Sequence, residues 1–425
     1  MAKFAFLSAL LLAAASVAAA IPALLHPKRH LFERQSHLEK RQSGSDGYPP
    51  ILTIPDPSLL KQEWKDALQA AVKNGTIPDI PKSTLDSNGN PSYPSNAGSD
   101  NHIGSWTLSK YLADSDISQA PNGVWAIGFD DGPTDESPPM YKYLQSQSQV
   151  ATHFMIGSNI ISYPDAFAEA NNTGGQLAVH TWSHKLQTAS TNEEVLGDLA
   201  WTMQVIYDRT GRIPNLWRPP QGDVDNRVRA IAYDVLGLRT VLWQADANDW
   251  CLNDQFETEC PADNTIGQSR ASVTKYVQQH IQGSKNPGII MLAHEIHKPS
   301  IAIFKDYYPS LAENGWKTQA VGDFDDIGGY YANAANNTSP TSGQSGVIAA
   351  DVVSSTSSSA AASGTSGSKG QSSMSTMTAS RSASSSGASS GSQKQEGTTS
   401  GASTVSPVTT IVLTAGVALV AAVML

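Results

Sequence analysis

Four polar clusters carry the residue types that metal-assisted hydrolysis needs, and each falls where an apolar run ends. The first is Phe129-Asp130-Asp131-Gly132-Pro133, two adjacent carboxylates followed by a Gly-Pro turn. Neighbouring side chains at a strand end diverge, so one carboxylate could bind a metal while the other faces a substrate. Taken alone, Asp-Asp-Gly-Pro also reads as a plain turn. The second, His180-Thr-Trp-Ser-His184, sets two imidazoles at i and i+4, which share a face if the segment turns helical. Two histidines and one aspartate would make a three-ligand site with a position open for water, the pattern of a catalytic rather than a structural metal.

The third cluster, Trp217-Arg218-Pro219-Pro220-Gln221-Gly222, has a backbone stiffened by two prolines. It could hold Arg218 against a carboxylate and aim the next peptide N–H inward, or be a surface proline turn. The fourth comprises Asp246-Ala-Asn-Asp249-Trp250 and Leu292-Ala-His294-Glu-Ile-His297. His294 stands where a general acid could reach a leaving group, and a nearby aspartate would hold its tautomer and raise its pKa. The pair His294 and His297 is one residue short of the spacing in the zincin helix and follows a strand, which argues against that motif. His153, inside a strand, reads as a satisfied core histidine. Trp182, Trp217 and Trp250 flank the clusters and could stack on sugar rings or fill the core.

These residues need a scaffold that brings strand ends together. From about Trp106, short apolar runs alternate with helical patterns. Strands are expected over 124–129, 151–156, 176–179, 215–218, 239–243, 288–292 and 317–321. Helices are expected over 138–147, 162–170, 192–208, 225–236, 269–281 and 299–313. Repeated strand–helix units imply a parallel sheet, here a closed or nearly closed βα barrel, whose active site would form at the C-terminal edge. An open doubly wound sheet is the alternative, but the first strand lacks a Gly-rich phosphate loop.

In this order the clusters resemble the five motifs of the polysaccharide deacetylases, carbohydrate esterase family four, and most of all the GPI-anchored fungal chitin deacetylases. The resemblance spans roughly residues 120 to 325. It implies an α/β fold, a distorted, incomplete parallel (β/α) barrel, and one divalent metal ion, zinc or cobalt. It assigns Asp130 as general base, Asp131, His180 and His184 as metal ligands, and Arg218 as the arginine that orients the base. His294 becomes the general acid with Asp249 as its partner; Gln221 supplies an oxyanion N–H, and Trp250 lies at the substrate. Two departures stand out: Gly128 where the family commonly has Thr, and Gln221 where an aromatic residue often follows the prolines. The activity implied is hydrolysis of N-acetyl groups of chitin polymer or oligomers, giving chitosan and acetate. Rival readings are a deacetylase of another acetylated polysaccharide, a glycosidase, and a non-catalytic wall-binding protein. A glycosidase needs its carboxylates ~5–9.5 Å apart across a bond, which two adjacent residues fit poorly.

The flanks point to a secreted, surface-tethered chain. A basic start, an apolar run from Phe4 and an exit at Ala18 and Ala20 read as a signal peptide over 1–20. The dibasic Lys40-Arg41 closes a possible propeptide over 21–41, and an irregular Pro- and Asn-rich extension covers 42–105. The catalytic domain is placed at 106–333. A Ser/Thr-rich stalk over 334–406 lacks the apolar surface to order itself, and the apolar stretch 407–425 reads as a GPI-attachment signal, with Ser400 or Gly397 as the attachment residue. Plasma membrane and cell wall are thus the expected location. The two cysteines, Cys251 and Cys260, are expected to form a local disulfide, and sequons at Asn74, Asn171, Asn336 and Asn337 permit glycosylation. A net charge of -10 argues against nucleic acid as a partner. A monomer is expected.

Overall fold

The computed structural model describes residues 47–348 apart from 87–88, 338, 340 and 342–345. The expected signal peptide, propeptide, GPI signal, both attachment candidates and most of the stalk lie outside the described residues. Those described all fall in the first of two compact units, Met1–Thr365.

In the N-terminal part, β1 (Thr84–Leu85) and β2 (Pro91–Ser92) form a small antiparallel ladder. The main sheet has eight strands: β3 (Val124–Gly132), β4 (Thr152–Met155), β5 (Gln176–Val179), β6 (Leu216–Trp217), β7 (Arg239–Thr240), β8 (Ala245–Asp246), β9 (Ile289–Leu292) and β10 (Lys317–Ala320). Their order is β7-β6-β5-β4-β3-β9-β8, with β10 also pairing β3, and every pairing is parallel. The ladder ends at β7 and β8, so the barrel is curled but incomplete, as the alternation of elements implies.

Strand parity decides what each face carries. Val124, Ala126, Phe154, Ala178, Leu216 and Ile290 share one core cluster. Their neighbours Trp125, Ile127, Met155, Leu177, Val179, Trp217, Ile289 and Met291 belong to the larger cluster built with the helices. Both faces are therefore covered, which explains why the strands read as continuous apolar runs rather than alternating ones. The inward parity of β3, β5, β6 and β9 continues through Asp130, His180, Arg218 and His294. These four residues leave different strands on one side of the sheet.

The helices follow the sequence closely. Asn192–Thr210 starts at a capping box between Thr191 and Glu194 and stops at Gly211, which takes a left-handed φ of 70°. The helix expected over 162–170 is Pro164–Asn172, preceded by a further short helix, Gly157–Ser162, that the sequence reading did not expect. Pro164 fits the first turn of a new helix but would break a continuous one. In the N-terminal part, Gln62–Lys73 buries Trp64, Leu68 and Ala71, one stripe at helical spacing. Trp64 meets Trp201 edge-on, with ring centroids 5.1 Å apart. No helix among the described residues is long and apolar enough to cross a membrane.

Candidate active site

Adjacent strand residues normally point to opposite faces, yet Asp130 and Asp131 both reach the site. A bulge reconciles them: Asp130 pairs with Phe154 and Gly132 with Met155, leaving Asp131 as the extra residue, at φ 71°. A bulge re-aims one side chain without ending the ladder. The Asp131 carbonyl accepts from Asn159 Nδ2 at 3.0 Å, which ties down this uncommon backbone conformation.

The segment from His180 to His184 is a loop, not the helical turn that would set i and i+4 on one face. Thr181 and His184 have φ of 63° and 56°. This path returns both rings to one point: Asp131 Oδ1 lies 3.0 Å from His180 Nε2 and 3.1 Å from His184 Nε2. His180 Nδ1 is 2.7 Å from the Arg218 carbonyl, so it carries the proton and Nε2 keeps its lone pair for the common point. Burial would raise the Asp131 carboxyl, but when the two rings are protonated His184 and His180 hold it well below the usual carboxylate range.

These three donors lie within 4.8 Å of one another. Although close to both imidazoles, the buried Asp131 Oδ1 meets hydrogen-bond geometry with no partner. One carboxylate and two neutral imidazoles suit a divalent ion such as zinc, and a three-residue set leaves room for water or substrate. The residues present therefore fit the implied metal.

Around this point stand the remaining expected residues. Arg218, buried, places Nη1 2.6 Å from Asp130 Oδ1, and its guanidinium lies 4.1 Å over the Phe154 ring. Gln221 takes φ 57°, and no backbone hydrogen bond takes up its N–H among the described residues. Trp106 packs where a Gly222 Cβ would stand, fixing the turn from the other side. Opposite, Asp249 grips His294 twice, Oδ1 at 2.8 Å from Nδ1 and Oδ2 accepting the His294 N–H at 2.9 Å. Burial would push the His294 imidazolium down, but Asp249, helped by Asp131 and Asp130, raises it to about 10. The segments that carry Asp130 and His294 are joined by backbone: the Asp130 N–H donates to the Ala293 carbonyl and the Glu295 N–H to the Asp130 carbonyl.

Other expectations divide. Cys251 and Cys260 are disulfide-bonded. His153 is a satisfied core residue, with Nδ1 2.6 Å from Glu295 Oε2. Trp182 and Trp217 are fully buried and cannot stack on a sugar; each occupies the outward, helix-facing parity or a packed loop position. Trp250 is also buried. Among the sequons, Asn74 and Asn336 are exposed and Asn171 half-buried. Asn337 spends its amide donors on the Gly322 carbonyl (2.9 Å) and Asp323 Oδ1 (2.6 Å), so a glycan there would break this turn.

Sequence reasoning missed three supporting residues: Asn159, Glu295 and Asp198. Glu295 is fully buried between His153 and Tyr141, whose hydroxyl donates to it at 2.8 Å. It fills the space a Gly132 side chain would need. Asp198 sits in a run of buried residues from Val195 to Ile206. A carboxylate inside such a run was the available signal, because a buried charge demands partners.

With this geometry in view, comparisons with known proteins agree. A family model described as polysaccharide deacetylase matches residues 118–241. Chitin deacetylase 3 of Cryptococcus neoformans var. neoformans serotype D is 42% identical over 326 residues, 75% of this chain and 76% of that protein. A chitin deacetylase of Amylomyces rouxii is 34% identical over 272 residues, 57% of this chain and 62% of that protein. Chitin deacetylase 1 of Cryptococcus neoformans var. grubii serotype A is 33% identical over 281 residues, 63% and 56% of the two chains. The chain belongs to the polysaccharide deacetylases, carbohydrate esterase family four.

Proposed function

We propose that this chain hydrolyses the N-acetyl groups of N-acetylglucosamine units in chitin, releasing acetate and leaving chitosan. The observation that carries the reading is the bulge at Asp131. It gives one of two adjacent carboxylates to a three-ligand metal site and leaves the other, Asp130, free for proton transfer beside it.

Asp131, His180 and His184 would hold a zinc or cobalt ion, which when bound acidifies water and polarises the acetamide carbonyl. Asp130, oriented by Arg218, takes a proton from the attacking water. The Gln221 N–H donates to the developing oxyanion, a contribution worth about 3–4 kcal/mol per donor in other hydrolases. His294, protonated and fixed by Asp249, delivers a proton to the amine nitrogen as the amide C–N bond breaks. The carbonyl carbon gains one oxygen from water, so the products are acetate and a free glucosamine unit. Two chitin deacetylases of Cryptococcus neoformans and one of Amylomyces rouxii among the relatives support chitin as the substrate. The apolar C-terminal stretch and the stalk before it support tethering to the plasma membrane by a GPI anchor, with the enzyme facing the wall.

Acetate and free amine released from chitin oligomers should rise together, stop after chelation and return with added zinc or cobalt. Bound metal with no acetate would redirect the reading to another acetylated polymer. A protein that binds no metal would instead be a non-catalytic wall-binding one.

A further inference from the structure

The loop from His180 to His184 carries two of the three metal ligands, yet it has no regular secondary structure to hold it. Its carbonyls are taken up by the Gly157–Ser162 helix: the Gly157 N–H donates to Thr181 at 2.9 Å, and Ser158 Oγ to Trp182 at 2.7 Å. The His180 N–H donates to the Met155 carbonyl and the His184 N–H to Thr181 Oγ1, while the donors of the two residues between, Trp182 and Ser183, converge on Asp198. Asp198 Oδ1 accepts the Ser183 N–H at 2.8 Å and the Trp182 N–H at 3.1 Å. Asp198 Oδ2 accepts Ser183 Oγ at 2.8 Å and Gln187 Nε2 at 2.7 Å. The Trp182 N–H also reaches the Asp198 carbonyl at 2.7 Å.

Asp198 is fully buried near the start of the Asn192–Thr210 helix, a rigid element capped at both ends. Burying a carboxylate is costly unless donors surround it, and here the donors come from the metal-ligand loop and the residues just after it. Only a carboxylate offers two oxygens, each able to accept twice, at this point. The left-handed conformations at Thr181 and His184 need such an anchor, since an unanchored loop would relax out of them.

We propose that Asp198 is a positioning residue for the metal: it transmits the rigidity of its helix to His180 and His184 and so sets metal affinity without touching the ion. This rests on the metal-site reading above. Partners of metal ligands typically change affinity by roughly 10–100-fold when removed. Asp198→Ala should weaken zinc binding by about that factor. Asp198→Asn keeps an acceptor for the two backbone N–H groups and should show a smaller but measurable loss.

The test is zinc titration of the full chain in competition with a chromophoric chelator, together with thermal unfolding of the zinc-free protein. The graded loss of affinity, alanine worse than asparagine, is the expected result. A merely structural role would lower the zinc-free melting temperature of Asp198→Ala while leaving zinc affinity at the parental value, and that outcome overturns the proposal. If the alanine variant does not fold, parental zinc affinity in Asp198→Asn overturns it equally. A parental chain that binds no zinc would sink the metal-site reading itself, a result distinct from either.

Discussion

Two histidine-bearing loops leave the same edge of the sheet, and only one gathers its histidines on a common point. After β5, His180 and His184 both turn Nε2 toward Asp131. After β9, His294 faces Asp249, while His297 runs extended into the Lys298–Glu313 helix and places Nε2 2.8 Å from the Leu252 carbonyl. The spacings, four residues in the first and three in the second, do not explain the difference, since either could set two side chains on one helical face. Backbone path does: the first loop bends through two left-handed residues held by Asp198 and the Gly157–Ser162 helix, whereas the second is drawn away to the disulfide-closed segment. On the proposed reading, a shared neighbourhood of carboxylates thus gives a metal half and a proton-donor half from similar sequence material.

The comparison breaks most visibly at Asp130, which lies between the halves. Asp130→Asn should lower kcat by roughly 10²–10⁴-fold while zinc content stays at the parental level, as read by acetate release and metal analysis. Loss of zinc in this variant would mean that both aspartates belong to the metal half.

A sharper test of the donor half is Asp249→Asn. Because Asp249 raises His294 above its ordinary value, the imidazolium persists at pH values where a free histidine would be neutral. Activity that needs this acid is present at lower pH and lost as pH rises through the folded value. Removing the Asp249 charge should move that alkaline loss to lower pH by about one unit or more, with kcat down roughly 10²-fold. An unmoved alkaline limb would deny His294 the acid role.

The smallest effect belongs to His297. Its replacement by alanine orphans the Leu252 carbonyl and should cost about 1–3 kcal/mol of stability, seen in denaturant unfolding, with zinc affinity and acetate release unchanged. A loss of zinc there would erase the contrast between the two loops.

Much of this contrast was legible in the sequence, and the rest has identifiable physical reasons. The strand Gln176–Val179 and the helix beginning at Asn192 follow directly from apolar runs and capping residues. The four clusters announced the site because polar residues at strand ends have few structural reasons to recur in order. What stayed hidden was backbone conformation at non-glycine residues. Nothing in Asp-Asp-Gly-Pro reveals a bulge at Asp131, and His-x-x-x-His suggested a helical turn where Thr181 and His184 are left-handed. Trp182 and Trp217 illustrate another limit: an aromatic beside a motif can face the sugar or the core, and strand parity settles this only once register is known. Asp198, eleven or more residues from its partners Trp182 to Gln187, needed the tertiary pairing of loop and helix to be recognised.

The most direct test of the division between the two loops is zinc stoichiometry measured alongside acetate release from chitin oligomers in His184→Ala and His294→Ala. The account predicts that His184→Ala loses zinc and activity together, whereas His294→Ala retains zinc at the parental level and loses activity. Full zinc in His184→Ala, or an empty His294→Ala, would contradict it.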